Sequence, residues 1–186
     1  NIAPKKWWHF LILFIVVGGL TISAMAALAI TLIYPTLPSL ETLTDYRPKL
    51  PLRVYTADGF LISEFGEERR AFVSIDKVPK NLKNAVLAIE DRRFYQHGGV
   101  DTKGVLRAIK NNVTGVSHEG ASTITMQVAK NFFTTPGKKR TMVIKIKEAL
   151  LALKIEKTLS KDKIFELYLN QIYLGQRSYG FAAASQ

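Results

Sequence analysis

The sequence predicts a mainly α-helical protein with one membrane-spanning helix and one short β-hairpin. Three observations lead to this prediction. No residue from Phe10 to Ile33 is charged. Beyond that run, apolar residues recur at helical spacing in several stretches. Strand-like sequence flanks an Asp-Gly pair only near residues 52–65, as expected for a hairpin.

The uncharged run is long enough to cross a membrane. As a helix, residues 10–33 would extend about 36 Å, and a bilayer core is about 30 Å thick. Lys5-Lys6 and Trp7-Trp8 precede the run. Basic residues favour the cytoplasmic side, so we predict a single-pass anchor in the inner (cytoplasmic) membrane, with the following domain on the outer, periplasmic face. A cleaved signal peptide is the alternative, but its apolar region is typically only about 7–15 residues long.

The chain after Tyr34 is basic. It carries 24 of the 26 Lys and Arg residues and all 15 Asp and Glu residues, for a net charge of +9. Ten of the basic residues and only three acidic ones lie between Lys130 and Lys163. This charge predicts attraction to anionic membrane lipids or to phosphate-bearing lipids, and the outward orientation argues against nucleic acid as a partner. The absence of cysteine is compatible with an extracytoplasmic domain that lacks disulfides.

Residues 34–78 are predicted to connect the anchor to the rest of the chain. Four of the seven prolines lie within residues 35–52, which favours an extended segment. A β-hairpin follows, with strands at residues 52–56 and 60–65 and the turn at Ala57-Asp58-Gly59.

Residues 79–186 are predicted to form one helical domain. Pro79 favours the first turn of a helix that ends at Glu90. Further helical stretches are predicted after Asp101 and over residues 122–133, 141–158 and 160–173. Ser160 is a plausible N-cap for the last of these. Residues 111–121 have loop composition, and we predict a mobile loop there.

The segment from Glu90 to Asp101 is unusual for a helix end. It combines three carboxylates, two arginines, two aromatic residues and a histidine. A carboxylate beside fixed cations suits proton transfer near an anionic substrate. A charged last turn closed by Gly98-Gly99 is the structural alternative. His97 could carry a proton, although a single histidine beside a glycine turn is more often a hydrogen-bonded structural group.

Five segments then carry a specific resemblance, in the order residues 90–101 (EDRRFYQHGGVD), 120–131 (GASTITMQVAKN), 145–148 (KIKE), 161–170 (KDKIFELYLN) and 179–184 (YGFAAA). They resemble the five signatures of the peptidoglycan glycosyltransferase domain (glycosyltransferase family 51), found in class A penicillin-binding proteins and monofunctional transglycosylases. The N-terminal anchor and hairpin resemble the class A type. Met126 stands where glutamine is common, and Ile144 replaces the usual arginine of the third signature.

The resemblance implies a reaction. The family transfers a growing glycan from its polyprenyl pyrophosphate to the 4-hydroxyl of the next lipid II, with inversion. Glu90 stands at the position of the general base, which is needed because a hydroxyl at pH 7 is a poor nucleophile. An inverting transfer needs no covalent sugar–enzyme intermediate. The departing pyrophosphate requires cations, which Lys145 is expected to supply.

Glu148 is implied as the second catalytic carboxylate. It would lie in the cleft opposite Glu90 and position the leaving pyrophosphate or its lysines. A surface ion pair with Lys145, three residues earlier, is the alternative. Because Ile144 carries no charge, Lys145 or Lys147 would have to compensate for the missing arginine.

The other implied site residues are expected to contact the phosphosugar substrates: Asp91, Ser122, Thr123, Gln127, Lys130, Asn131, Lys138 and Tyr173. The hydroxyls of residues 122–125 could instead cap a helix start, and residues 138–140 could be a solvated charged loop. Glu166, Tyr168 and Asn170 are predicted to be architectural and to brace separate neighbours.

The resemblance also implies a lysozyme-like, two-lobed fold. A large helical lobe and a smaller membrane-proximal jaw, with residues 111–121 as part of the jaw, would flank a long cleft. The expected partners are lipid II, the growing glycan chain and membrane lipids. Whether cell-wall synthesis regulators also bind is left open. We assign no metal ligand and no firm cofactor, but a Mg²⁺ or Mn²⁺ ion at the pyrophosphate is left open.

The predicted organisation is a cytoplasmic tail (residues 1–9), a signal anchor (10–33), a connector with the hairpin (34–78) and a glycosyltransferase domain (79–186). The family domain continues beyond residue 186, so we expect part of a bifunctional class A penicillin-binding protein. A monofunctional transglycosylase and a non-catalytic membrane-anchored cell-wall binding module are alternatives. A lytic enzyme of similar shape is a further alternative. It would need a protonated acid, and it would not need a basic pyrophosphate site.

Overall fold

A computed structural model describes residues 7–44, 51–66, 68–115, 120–133 and 141–185. The chain divides into two compact units, Asn1–Leu37 and Pro38–Gln186. Each unit is considered by itself.

The first unit is built on one long apolar helix, α1 (Trp7–Ile33). It continues into a 3₁₀ turn at Tyr34–Thr36, with Pro35 near its start. In the described part of the chain, this is the one helix long and apolar enough to cross a membrane. The predicted apolar helix is therefore confirmed, whereas its orientation stays a prediction.

The second unit begins with a short helix and a hairpin. Helix α2 spans Glu41–Thr44, and strands β1 (Leu52–Tyr55) and β2 (Leu61–Phe65) pair antiparallel. Gly59 supplies the positive φ of 89° that the turn requires. The hairpin prediction is confirmed. The prediction of an extended chain throughout residues 35–52 was wrong, because a 3₁₀ turn and α2 interrupt it. The buried side chain of Leu43 anchors α2 by packing.

The rest of the unit is mainly helical, as predicted. Its elements are β3 (Arg69–Arg70), α3 (Lys80–Glu90), α4 (Thr102–Thr114), α5 (Ile124–Phe133), α6 (Met142–Thr158), α7 (Lys161–Gln171), β4 (Ser178–Tyr179) and α8 (Phe181–Ala184). The side chains of Thr141 and Ser160 accept the backbone N–H groups of Ile144 and Lys163 at 3.3 Å. These caps explain why α6 and α7 begin at their observed residues, and the prediction for Ser160 is confirmed.

The predicted loop over residues 111–121 was wrong in its first part. Helix α4 continues to Thr114, whose hydroxyl donates to the carbonyl of Lys110 at 2.9 Å. Gly115 then ends the helix in the left-handed conformation, with φ 69°. Residues 116–119 lie outside the described part. The polar composition of this stretch indicated a loop. Its first residues are nevertheless helical, because the helix continues until Gly115 caps it.

The core lies where α5 packs against both α6 and α7. Phe94, from the turn after α3, is fully buried there, and its ring centroid lies 5.8 Å from that of Phe165. Other fully buried apolar side chains come from three helices: Ile124, Val128, Ala129, Ala152, Ile155, Ile164 and Leu169. This core packs α5 together with the segment that follows Glu90.

Side chains of α7 brace the segment that leads into α3. Asn170 accepts the N–H of Val73 and donates to its carbonyl, both at 2.8 Å. Glu166 accepts the N–H of Ile75 at 3.0 Å. The prediction that Glu166 and Asn170 brace separate neighbours was therefore wrong, because residues four apart share one helix face. Both side chains take the place of a β-strand partner for residues 73–75.

We expect Asn170→Ala to lower the free energy of unfolding by about 2–3 kcal/mol, because it leaves two backbone groups of Val73 without their partner. Urea unfolding of the detergent-solubilised chain measures this. Asn84→Ala, at an exposed position of α3, should change the value by less than about 0.5 kcal/mol. Equal stability of the two variants would contradict the bracing role.

Candidate active site

Glu90 and Asp91 are adjacent but lie in opposite environments. Glu90 is the last residue of α3 and is exposed, whereas Asp91 leaves the helical conformation (φ −160°, ψ 78°) and is 7% exposed. The side-chain amide of Gln127, on α5, donates to Glu90 Oε2 at 2.7 Å. The carboxylate is thus open to solvent and oriented by a neutral donor, which suits a group that must accept a proton.

A cavity of about 760 Å³ opens beside Glu90. Its lining is Ala88, Ile89, Glu90, Asp91, Arg92, Arg93, Asp101, Lys103, Gly104, Arg107, Gly120, Ala121, Ser122 and Thr123. Four basic side chains therefore surround three carboxylates. A cavity of this size and charge can hold a polar ligand that carries negative charge.

Asp91 is committed to contacts within the protein. Its Oδ2 accepts the backbone N–H of Ile124, the first residue of α5, at 3.1 Å. The Nε2 atom of His97 lies 3.0 Å from both carboxylate oxygens. Asp91 therefore caps α5 and fixes the turn after α3, although it also lines the cavity. The contact of His97 with Asp91 accords with its structural interpretation.

Asp101 organises the cavity wall. Its side chain pairs with Arg93 and accepts the N–H of Gly104 at 3.0 Å, which caps α4. Burial raises the pKa of Asp101, but the hydrogen bonds from Arg93 and Gly104, together with the positive charges of Arg93 and His97, outweigh it. The pKa of Asp101 therefore lies below its ordinary value. Asp101 stays ionised and holds Arg93 at the cavity.

The predicted site residues on α5 and just before it have three different surroundings. Ser122 lines the cavity and Gln127 contacts Glu90. Thr123 also lines it but is buried, and its hydroxyl donates to the carbonyl of Gly99 at 2.5 Å and accepts the N–H of Met126 at 3.2 Å. Lys130 and Asn131 are exposed further along α5. The hydroxyl of Thr123 is thus used in the helix start, as the capping alternative anticipated.

The remaining predicted residues lie away from the cavity lining. Glu148 is only 2% exposed on α6, whereas Lys145 is exposed one turn earlier. Tyr173 is exposed and packs on Tyr179, with ring centroids 5.1 Å apart. None of these three is among the described side chains that line the cavity. Lys138 lies outside the described residues.

Basic residues outside the predicted site also lie around Glu90, and Lys103 and Arg107 were not anticipated. Arg93, Lys103 and Arg107 line the cavity. Lys103 and Arg107 are four residues apart and share a face of α4, a spacing that could have indicated a basic wall. Tyr168 is buried in the core, and burial together with the negative charge of Glu90 raises its pKa, so its phenol stays protonated near the candidate base.

The described residues include no group of three or more His, Asp or Glu side chains that could hold a metal ion. The carboxylates nearest the cavity already bind Gln127, His97 and Arg93. A Mg²⁺ or Mn²⁺ ion at the pyrophosphate therefore stays an expectation of the sequence.

Comparison with known proteins identifies relatives of this chain. A family model described as Transglycosylase matches residues 58–186. A penicillin-binding protein 1A of Neisseria lactamica is 58% identical over 173 residues, covering 91% of this chain and 21% of the relative. Penicillin-binding protein 1A of Escherichia coli (strain K12) is 50% identical over 155 residues, covering 83% of this chain and 18% of the relative. The chain spans about a fifth of the length of these relatives.

The lowered pKa of Asp101 predicts an acid-sensitive contribution to stability. A carboxyl whose pKa is lower in the folded state stabilises the fold above its ordinary pKa, and this contribution is lost as the pH falls through the folded-state value. Asp101→Asn should therefore lower the free energy of unfolding by about 1–2 kcal/mol at pH 7, and the gap to wild type should narrow below about pH 4. Urea unfolding between pH 7 and pH 3 measures the gap.

The matched control is Asp76→Asn, at an exposed position in a 3₁₀ turn, which should leave stability at pH 7 unchanged. If the gap for Asp101→Asn were as large at pH 3 as at pH 7, the ionised carboxylate would not be its cause.

Proposed function

The chain belongs to the transglycosylase family, and we propose that it polymerises peptidoglycan glycan strands by joining the disaccharide units of lipid II. The observation that carries the proposal is the open Glu90 carboxylate, oriented by Gln127 at the rim of a cavity with four basic side chains. A mobile hydroxyl acceptor and a phosphate-bearing donor both need such an environment.

In the proposed reaction, Glu90 takes the proton of the GlcNAc 4-hydroxyl as its oxygen attacks the anomeric carbon of the donor MurNAc. The bond from that carbon to the pyrophosphate oxygen breaks, and the electron pair leaves with the pyrophosphate. The configuration inverts in this single displacement, so a second carboxylate is not needed as a nucleophile. The amide of Gln127 supports this role because it holds one carboxylate oxygen and leaves the other to accept the proton.

The charge that develops on the leaving pyrophosphate needs cations. We propose that Lys145 and Lys130, both exposed on helices beside the core, provide them, with Glu148 buried on α6 holding its surroundings in position. The basic side chains of the cavity, among them Arg93 and Arg107, are then suited to the acceptor, which also carries a pyrophosphate.

We propose that the growing chain and lipid II reach this site from the membrane. Helix α1 is long and apolar enough to span it, and the basic residues before α1 favour an N-terminus in the cytoplasm. The relatives are named for binding penicillin and are about five times as long as the matched segment. This supports a transglycosylase region within a larger bifunctional protein, and a monofunctional transglycosylase is the alternative.

Helix α4 supports a second membrane contact. Leu106, Ile109 and Val113 recur on one face and are 66%, 55% and 81% exposed, whereas the small Gly104 and Ala108 are buried on the other. A helix of a soluble domain normally shows the reverse arrangement.

The occupant of this exposed face is proposed to be the bilayer interface. Lys103, Arg107 and Lys110 flank the apolar face, and residues 102–114 include no acidic residue. Apolar residues beside a basic flank are typical of helices that lie in the headgroup region. Since Lys103 and Arg107 also line the cavity, docking of α4 would hold the cavity at the surface from which a lipid-linked substrate enters.

We expect Glu90→Gln to reduce polymerisation of lipid II by about 10²–10⁴-fold, because it removes proton acceptance and keeps the shape of the side chain. The glutamine can still accept the hydrogen bond from Gln127, so the site should stay assembled. Polymer formation by the purified full chain on labelled lipid II measures the rate.

Asp76→Asn, an exposed acid-to-amide change away from the cavity, should retain the wild-type rate. Full polymerisation by Glu90→Gln would refute the base assignment. If wild type converts no lipid II but binds it, the chain is a binding module, and if it cleaves added polymeric glycan, the lytic alternative holds.

We expect the double substitution Ile109→Gln and Val113→Gln to lower turnover of long-chain lipid II in vesicles several-fold and to spare a short-chain soluble analogue. Both positions are exposed, so the fold should be unaffected, whereas insertion of α4 into the interface would be lost. Turnover of both substrates by the full chain in vesicles is the measurement.

Ile62→Gln on the hairpin is the matched control, because Ile62 is exposed to a similar extent. Equal loss on both substrates would indicate that α4 acts on the site rather than on the membrane. No loss on either would mean that its apolar face does not dock.

A further inference from the structure

Lys161 joins three elements of the domain at one ammonium group. Its Nζ donates to the carbonyl of His97 at 2.6 Å and to Glu156 Oε1 at 2.7 Å. It also lies 4.3 Å from the ring centroid of Phe94. Two of the three N–H bonds of the ammonium group are thus used in hydrogen bonds, and its charge lies over the face of an aromatic ring.

Glu156 extends this network to the start of α5. The same Oε1 that accepts Lys161 also accepts the hydroxyl of Thr125 at 2.5 Å. Thr125 lies in the first turn of α5, two residues before Gln127, which donates to Glu90. Lys161 and Glu156 therefore tie the turn after α3 to the helix that orients the candidate base.

The turn itself is pressed against α6 at the same point. Gly99 has φ 96°, and a Cβ atom there would lie 2.9 Å from the backbone of Ala152 and 3.1 Å from Cγ of Glu156. Its carbonyl accepts the hydroxyl of Thr123, which precedes α5. Only glycine allows this approach, so the backbone geometry brings the turn, Glu156 and the start of α5 together.

The ion pair is poorly suited to explain stability alone. The side chains of Lys161 and Glu156 are 22% and 9% exposed. At that degree of burial, the cost of removing both charges from water offsets much of their attraction. What such a pair can provide is a fixed relative position of the elements that it joins.

We propose that Lys161 and Glu156 are positioning residues that hold the first turn of α5, and through it Gln127, in register with Glu90. Neither side chain lines the cavity beside Glu90, so they act through α5 and not on the substrate. Their loss should slow the chemical step and leave substrate binding nearly unchanged, because misplacement of a catalytic group by about 1 Å can cost up to about 10²-fold.

The test compares Lys161→Met, Glu156→Gln and their combination in the full chain, with Lys80→Met, an exposed lysine at the start of α3, as control. Each single variant should lower kcat for lipid II by about 10- to 100-fold, with KM within about twofold of wild type. The combination should lose no more than the worse single variant, because both changes break one network. Lys161→Arg should recover part of kcat, since the charge is kept and its geometry altered. Lys80→Met should match wild type.

A second measurement needs no substrate. The amides of Ile124, Met126 and Gln127 are hydrogen-bonded at the start of α5. Their hydrogen exchange should be faster in Lys161→Met and Glu156→Gln than in wild type and Lys80→Met, with exchange in the middle of α7 unchanged. Should Lys161→Met not fold, Glu156→Gln, which keeps the shape of the side chain but removes the negative charge that pairs with Lys161, decides alone.

The kinetic part of this inference depends on the proposed function, and the two can fail separately. If wild type does not polymerise lipid II, the proposed function fails, while the exchange measurement still decides whether the network holds α5. If wild type polymerises and the variants keep its kcat, or show only a lower Tm with normal exchange at the start of α5, the positioning role is wrong. Losses that multiply in the combined variant would also overturn it.

Discussion

The start of α5 is the point on which the rest of the candidate site depends. The first N–H groups of a helix have no partner within the helix, and here one is met by a side chain distant in sequence and another by the residue that precedes the helix. Asp91 accepts the N–H of Ile124, and Thr123 accepts that of Met126. A carboxylate is also favoured at this end by the helix dipole. The cap therefore joins the end of α3 to the start of α5.

This single cap assigns different roles to two adjacent carboxylates. Asp91 turns inward to cap α5 and to contact His97, so the chain must leave the helical conformation at that residue. Glu90, one residue earlier, is then left at the open end of α3 and meets Gln127 from the helix that Asp91 caps. The position of the candidate base is thus a consequence of the hydrogen bonds that its neighbouring carboxylate makes. Of the two adjacent carboxylates, one is used as a structural cap and the other is the candidate base.

Much of the fold could be predicted because its signals are local. Thr141 and Ser160 begin α6 and α7 as caps, and Asp58-Gly59 marks the hairpin turn, since each depends on residues within a few positions. The pairing of Arg69–Arg70 with Ser178–Tyr179 could not be predicted, because two-residue strands far apart in sequence leave no periodic signal. Glu90, Gln127 and Ser122 were predicted from resemblance, and the structure places them at or next to the cavity. The contribution of Lys103 and Arg107 to the cavity was not predicted, because the contact of α4 with the segment after α3 is not local in sequence.

The placement of α4 follows from the same chain of contacts. Asp101 lies at the end of the turn that Lys161, His97 and Gly99 hold against α6, and it both starts α4 and pairs with Arg93. A shift of this turn would therefore move the cavity wall and the exposed apolar face of α4 together. An enzyme that takes its substrate from a bilayer must keep its entry surface and its catalytic group in fixed relation, because the substrate's tail remains in the lipid while its sugar reacts. The buried contacts around the turn can provide that relation.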